Sequence, residues 1–424
     1  MGIIVISLFF LLFIVGFPVV LSILIPAIIY IFSNGITLNL ISQRMHYALD
    51  SYPLIAVPVF IFVGNLMNSS GITRRIFKFA DTLVGRLPGG LAQVNIFASL
   101  IFSGMSGAAL ADVGGLGQIE IKAMKERGFS ASFAASVTCA SATVGPIFPP
   151  SIPLVIYGSV AGVSVVKLLL AGITPAVLAI ITLMIMTAVI SVVRHYPRAD
   201  RWPKPKEIVR DFLPAFPALL TPVLLILGML SGLFTPTEAA SVTAAYVLLI
   251  STVFYRELTW KHFVHASFET VKATSSILLI VAAASLFGWI LAIEQIPQLF
   301  SETLLSITTN PYMLLLILNG ILLIVGMFLD STTATLLLVP IVVPPLVNAG
   351  IDPIHLGLVF IFNIMIGLVT PPMGLSLFLV SGIAKVTIRD IIREVLPYMV
   401  PLIVTLLLIT YMPGFVLWIP NMLR

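Results

Sequence analysis

Gly145-Pro146-Ile147-Phe148-Pro149-Pro150 and Gly367-Leu368-Val369-Thr370-Pro371-Pro372 lie in two apolar stretches of one chain, and they are one pattern written twice. The register extends outward without a gap. Gly104-Met105, Gly128, Val137, Ser159 and Pro175 recur as Gly326-Met327, Gly350, Val359, Ser381 and Pro397, each 222 positions later. A Pro-Pro step removes two amide donors and forces extended backbone just before it, which frees carbonyls upstream. In a membrane chain, duplicated halves with helix breakers at matching positions are the best sequence pointer to a transport site.

Composition says that this is such a chain. It has 424 residues, 59% of them hydrophobic and 9% charged, with a mean hydropathy of +1.15. A soluble domain carries about 25% charged residues. The net charge of +5 is no nucleic-acid footprint, because the basic residues sit in short loops between apolar runs. The single cysteine, Cys139, excludes an internal disulfide framework and a Cys-based metal cluster, and its apolar setting predicts a buried, inert thiol. The N-terminus has no basic n-region, and its apolar run from Ile3 to Phe32 is too long for a cleavable signal peptide.

Stretches of spanning length fall at about 3–32, 53–70, 129–162, 165–193, 212–232, 237–255, 273–293, 355–384 and 397–419, and two more, 93–119 and 311–347, carry polar breaks. The connections 74–86, 122–127, 194–210, 256–272 and 385–393 hold 19 of the 22 Lys and Arg residues. All of them can be cytoplasmic at once. That requires 93–119 to enter and leave from one side, as a hairpin whose tip is Ser103-Gly104-Met105-Ser106-Gly107. The flanks of 311–347 hold Glu294, Glu302 and Asp352 but no Lys or Arg, so the second hairpin enters from the other side. The expected fold class is therefore an all-α polytopic membrane protein built from inverted repeats, 1–200 and 201–424, each with a re-entrant hairpin and a broken helix. The Pro-rich stretch 194–211 reads as a linker, and 37–51 and 257–272 as interfacial amphipathic arms.

The richest chemistry lies in the two hairpin tips and the two broken spans. Hydroxyls and stranded carbonyls there are hard ligands suited to Na⁺, and half-helix N-termini suit a carboxylate. The plainer alternative, that these Gly and Pro only kink helices, stands for any one such position and weakens with four at symmetric places. Ser141, Thr143, Ser331 and Thr332 are the candidate substrate-binding hydroxyls. Asp330, an acid within a span, is a functional candidate by default, with a structural role equally open; Asp112 is a second. Thr235-Pro236-Thr237-Glu238 predicts a helix capping box. Gly104-Met105-Ser106-Gly107 also fits an intramembrane serine protease, but none of the five histidines falls mid-span to serve as its base. No phosphate-binding Gly-Lys-Ser/Thr motif and no redox cofactor site is present, so no cofactor is expected beyond a coupling ion.

At Phe234-Thr235-Pro236-Thr237-Glu238-Ala239-Ala240, at the run from Ser103 to Ala111 and at the two Pro-Pro segments with their glycines, the chain resembles the large membrane subunit (DctM-like) of tripartite ATP-independent periplasmic (TRAP) transporters. The resemblance covers essentially the whole chain. It implies Na⁺ symport of a carboxylate, such as a C4-dicarboxylate, sialic acid or another sugar acid, across the bacterial inner membrane, by an elevator-type motion like that of ion transporter superfamily proteins. It implies three partners: the lipid bilayer, a periplasmic substrate-binding protein (DctP-like) and a small four-helix membrane subunit (DctQ-like), here expected as a separate chain. Carried over by position, one Na⁺ site would involve Ser103, Ser106, Gly145, Phe148 and Pro150, and the other Gly326, Asp330, Gly367, Thr370 and Pro372. Two other readings remain: a stand-alone Na⁺/dicarboxylate symporter of similar design, and a channel with two re-entrant segments.

Overall fold

The computed structural model describes residues 1–107 and 109–422, without the side chains of residues 103–106 and 111. Every regular element among them is helical, and nine helices are long and apolar enough to cross a membrane.

The N-terminal run differs from expectation. It is not one span but two antiparallel helices, α1 (Gly2–Val15) and α2 (Val19–Ser33). Gly16 ends α1 in the left-handed conformation at φ 97°, and Pro18 disfavours helical backbone at Phe17. Glu294 clasps the open ends, accepting from Gly2 N–H at 2.6 Å and Tyr30 O–H at 2.7 Å, with the N-terminal ammonium at 3.1 Å. Each arm is about 21–23 Å long, short of the hydrocarbon thickness of about 30 Å. Hydropathy alone hid the turn, because Gly-Phe-Pro is as apolar as its flanks.

The first arm is a separate helix, α3 (Asn39–Leu49), as expected. A 3₁₀ turn, Tyr52–Ile55, leads into α4 (Ala56–Ser69), and α5 (Ile72–Val84) follows, burying Ile72, Ile76, Phe79 and Ala80. The first hairpin is α6 (Leu91–Ser106), α7 (Ala109–Gly114) and α8 (Leu116–Glu126). Its helix continues through Ser106, so the turn comes at Gly107 (φ 62°), at the end of the expected tip. The first broken helix runs as α9 (Ala131–Ser141), a 3₁₀ turn Ala142–Ile147, an extended step across the cis Pro149-Pro150 bond, and α10 (Ile152–Ala161).

Helices α11 (Val165–Ala171) and α12 (Ile173–Val193) lead to the linker, which gives way to α13 (Pro205–Leu230), α14 (Pro236–Leu249) and α15 (Trp260–Ile293). The Thr235 capping box forms in full: Thr235 Oγ1 accepts from Glu238 N–H at 3.3 Å, and Glu238 Oε2 from Thr235 N–H at 2.8 Å. The second arm is not separate, because 260–272 is the first third of the 34-residue α15. No Gly or Pro stands between Trp260 and Ile293 except Gly288, so nothing ends the helix at the arm. Then come α16 (Ile296–Ile307), the second hairpin α17 (Pro311–Phe328) and α18 (Ser331–Asn348), and the second broken helix α19 (Pro353–Gly367) and α20 (Leu375–Ala384), with cis Pro371-Pro372 between its halves. Finally α21 (Ile388–Tyr411) and the short α22 (Pro413–Leu417) close the chain.

The duplicated segments are antiparallel. Helix α9 meets the start of α21 through Ser136 Oγ, which donates to Ile391 O at 3.2 Å, whereas α19 begins at its far end, where His355 Nε2 lies 2.7 Å from Ile409 O. The end of α10 meets the start of α19 through Tyr157 O–H to Pro353 O, 2.9 Å. The halves also exchange arms: α18 packs along α10, while α7 and α8 pack along α20. Basic connections gather at one end of the molecule. Arg75 pairs with Glu257 at 2.6 Å, Lys78 with Asp211 at 3.0 Å, Arg127 with Asp81 at 3.3 Å and Arg194 with Glu394 at 2.6 Å. Glu294, with the chain N-terminus, lies at the other end of the 34-residue α15.

Candidate functional site

In the second half, α17 crosses α19 backbone to backbone. A Cβ on Gly367 would sit 2.5 Å from Gly326 Cα, and one on Gly326 would lie 2.8 Å from Ile364 O. Only glycine permits that approach, and it brings main-chain carbonyls of two elements together one turn before the Pro-Pro break. Thr370 stands at this break, half-buried, with its hydroxyl donating to Ile366 O at 2.7 Å. Its oxygen lone pairs stay free to accept. Pro372, on the same turn, is exposed.

Asp330 is the N-cap of α18. One carboxylate oxygen accepts from Thr332 N–H at 2.9 Å and Thr333 N–H at 3.2 Å; the other accepts from the Thr333 hydroxyl at 2.5 Å. An ionised carboxylate offers about four lone-pair positions. Capping occupies three of them and leaves one for a cation. Ser331 and Thr332 are half-buried beside it, and neither hydroxyl bonds to another described group.

In the first half, Gly145 and Pro150 are buried and Phe148 is half-buried, with Phe148 N–H donating to Gly145 O at 3.2 Å. The hairpin turn abuts this break: a Cβ on Gly107 would lie 3.0 Å from Pro150 O and from Ile152 N. The side chains of Ser103 and Ser106 lie outside the described residues. Ser141 and Thr143 are buried and bonded inside the protein. Ser141 donates to Asn95 Oδ1 at 3.0 Å and accepts from Ser99 at 3.0 Å, and Thr143 donates to Ala140 O at 2.7 Å. Cys139 is fully buried.

Two polar clusters that brace the breaks escaped the sequence reading. Asn95 Nδ2 donates to Thr138 Oγ1 at 2.7 Å, tying α6 to α9. Asn363 Nδ2 donates to Asn319 Oδ1 at 2.8 Å, and Asn319 Nδ2 to Thr410 Oγ1 at 3.0 Å, tying α19 to α17 and α21. The signal was available, because the 222 offset places Asn363 opposite Ser141. Glu120, only 2% exposed on α8, was also missed.

Opposed hairpins, broken helices and crossed glycines define a polytopic transport protein rather than an enzyme. Residues 5–415 match the family model described as "Tripartite ATP-independent periplasmic transporter, DctM component", and the chain belongs to that family. It is 46% identical over 411 residues to the sialic acid TRAP transporter large permease protein SiaM of Vibrio cholerae, spanning 96% of this chain and 95% of that protein. It is 40% identical to the sialic acid TRAP transporter permease protein SiaT of Haemophilus influenzae, over 96% of this chain and 66% of that longer one. The 2,3-diketo-L-gulonate TRAP transporter large permease protein YiaN of Escherichia coli is 35% identical, over 95% of both. The crystal structure of the Alcanivorax borkumensis YdaH transporter shares the fold, with a TM-score of 0.63 at 15% identity over 88% of this chain and 87% of that one.

Proposed function

We propose that this chain is the large permease subunit of a Na⁺-coupled importer of a small organic carboxylate in the bacterial inner membrane. A periplasmic binding protein delivers the acid and a small membrane subunit completes the permease. The observation that carries this reading is the Gly326–Gly367 crossing beside Thr370 and Asp330, which supplies uncharged oxygens and one spare carboxylate position for a small hard cation. The Gly145–Pro150 break with Ser103 and Ser106 is the matching site in the other half.

Of the half-helix starts near the breaks, α10 is capped by Ser151 and α18 by Asp330, whereas α20 begins at Gly374 with no side-chain cap. That start is the place for a substrate carboxylate, with Ser331 and Thr332 as further donors. Ser141 and Thr143 serve the bracing of α9 instead. Transport then proceeds as an elevator in which hairpins and broken helices move together against α4 and α15. Two matched relatives are named for sialic acid, so that acid heads the test panel.

The experiment is uptake into proteoliposomes holding both membrane subunits and the cognate binding protein, across sialic acid, other sugar acids and C4-dicarboxylates. Saturable uptake of one acid that requires an inward Na⁺ gradient and the binding protein supports the proposal. Uptake without the binding protein would indicate a stand-alone symporter, and non-saturable flux without Na⁺ dependence a channel.

A further inference from the structure

A cavity of about 730 Å³ opens between α8 and α20 at the end of the molecule where the basic connections gather. Three lysines line it, Lys122, Lys125 and Lys385, with Glu126 as the sole acid among its lining residues and Gln118, Leu379 and Ile383 along its walls. The volume falls within the range of about 300–1,000 Å³ of small-ligand sites.

Internal pairing does not account for these charges. Lys122 reaches Glu126 only at 4.0 Å, with both side chains well exposed, a contact that stabilises little. Lys125 Nζ donates to the backbone, to Ala384 O at 3.4 Å, which holds its ammonium over the end of α20. Lys385 has no ion pair among the described residues. Its backbone is costlier to explain. It caps α20 in the left-handed conformation at φ 58°, where the corresponding helix α10 ends at Gly162 with φ 68°. Glycine takes that conformation freely and lysine does not. A lysine at this cap places a third ammonium on the cavity.

We propose that this cavity is an anion-binding site that takes a carboxylate or phosphate borne on an organic body, the three ammonium groups holding the anion and Ile121, Leu379 and Ile383 its apolar part. A free organic acid and the headgroup of an acidic phospholipid share this chemistry. The inference needs only the fold, not Na⁺ coupling or the identity of the transported acid.

The test is amine acetylation of the full chain in nanodiscs, read lysine by lysine by peptide mass spectrometry, with exposed Lys206 and Lys261 as internal references. The arms are phosphatidylcholine alone, phosphatidylcholine with phosphatidylglycerol, and phosphatidylcholine with succinate in solution. We expect Lys122, Lys125 and Lys385 to slow together, by about threefold relative to the references, in at least one anionic arm. Slowing with phosphatidylglycerol alone assigns a lipid headgroup; slowing with succinate assigns a free acid. Lys385→Gln should remove the protection of Lys122 and Lys125. Unchanged ratios in both anionic arms, or protection that survives Lys385→Gln, would overturn the proposal. Uptake is not read, so failure here leaves the transport reading standing, and the reverse also holds.

Discussion

At Gly326 and Gly367 a single methyl group decides the outcome. Gly367→Ala forces its Cβ into Gly326 Cα, backbone against backbone, so the helices must part. We expect loss of Na⁺-dependent uptake and a destabilisation of about 1–3 kcal/mol, seen as a lowered melting temperature in detergent. A Gly367→Ala protein with wild-type uptake would contradict the close crossing. Asp330 separates two roles. Asn retains much of the capping, so Asp330→Asn should stay folded while uptake needs much more Na⁺; Asp330→Ala should in addition lose about 1 kcal/mol of stability. An unaltered Na⁺ dependence in Asp330→Asn would assign the residue to capping alone. Thr235→Ala, by contrast, should cost about 1 kcal/mol with no change in Na⁺ dependence. The sequence disclosed these residues unequally. Gly367 and Thr235 were legible because each ends or caps a helix by a local rule, and Gly326 because it repeats Gly104 at the 222 offset. The engagement of Ser141 was not, since a buried serine reads the same whether it faces a ligand or Asn95, and only the packing of α6 on α9 distinguishes them.

Among the elements, the N-terminal helical hairpin and the cytoplasmic-type ion pairs make separate predictions. Glu294 closes α1 onto α2 through three contacts. Glu294→Gln should loosen the hairpin, giving faster proteolysis near residues 16–18 with α4 to α21 still protected. The Arg75 guanidinium bonded to Glu257 holds that carboxyl below the usual carboxylate range. A depressed carboxylate contributes stability above its unfolded pKa and loses it as pH falls through the lower folded value. Melting temperature should thus hold above the ordinary Glu range and decline below it, whereas Arg75→Gln should start lower and show a smaller decline over the same window. The pair is partly exposed, so the difference should stay within about 1 kcal/mol. Element boundaries were legible where Gly or Pro broke a polar context. They failed at Gly16-Phe17-Pro18, embedded in apolar flanks, and at the second arm, which joins α15 without any helix breaker.

Across the whole molecule, the account rests on two halves of opposite direction that exchange their hairpin arms, α18 onto α10 and α7–α8 onto α20. The 222-residue offset made the duplication visible and the Lys and Arg distribution made its inversion visible, because both are linear properties of the chain. The exchange itself was hidden, since it pairs segments that no sequence rule links. Inversion would also let the two proposed cation sites, one in each half, meet at mid-membrane. The most direct measurement is the sidedness of single cysteines at Lys78→Cys and Glu302→Cys, read with a membrane-impermeant maleimide in intact cells and inverted vesicles; buried Cys139 supplies little background. The account predicts that residue 302 labels only from the periplasm and residue 78 only from the cytoplasm. Labelling of both from one face would contradict it.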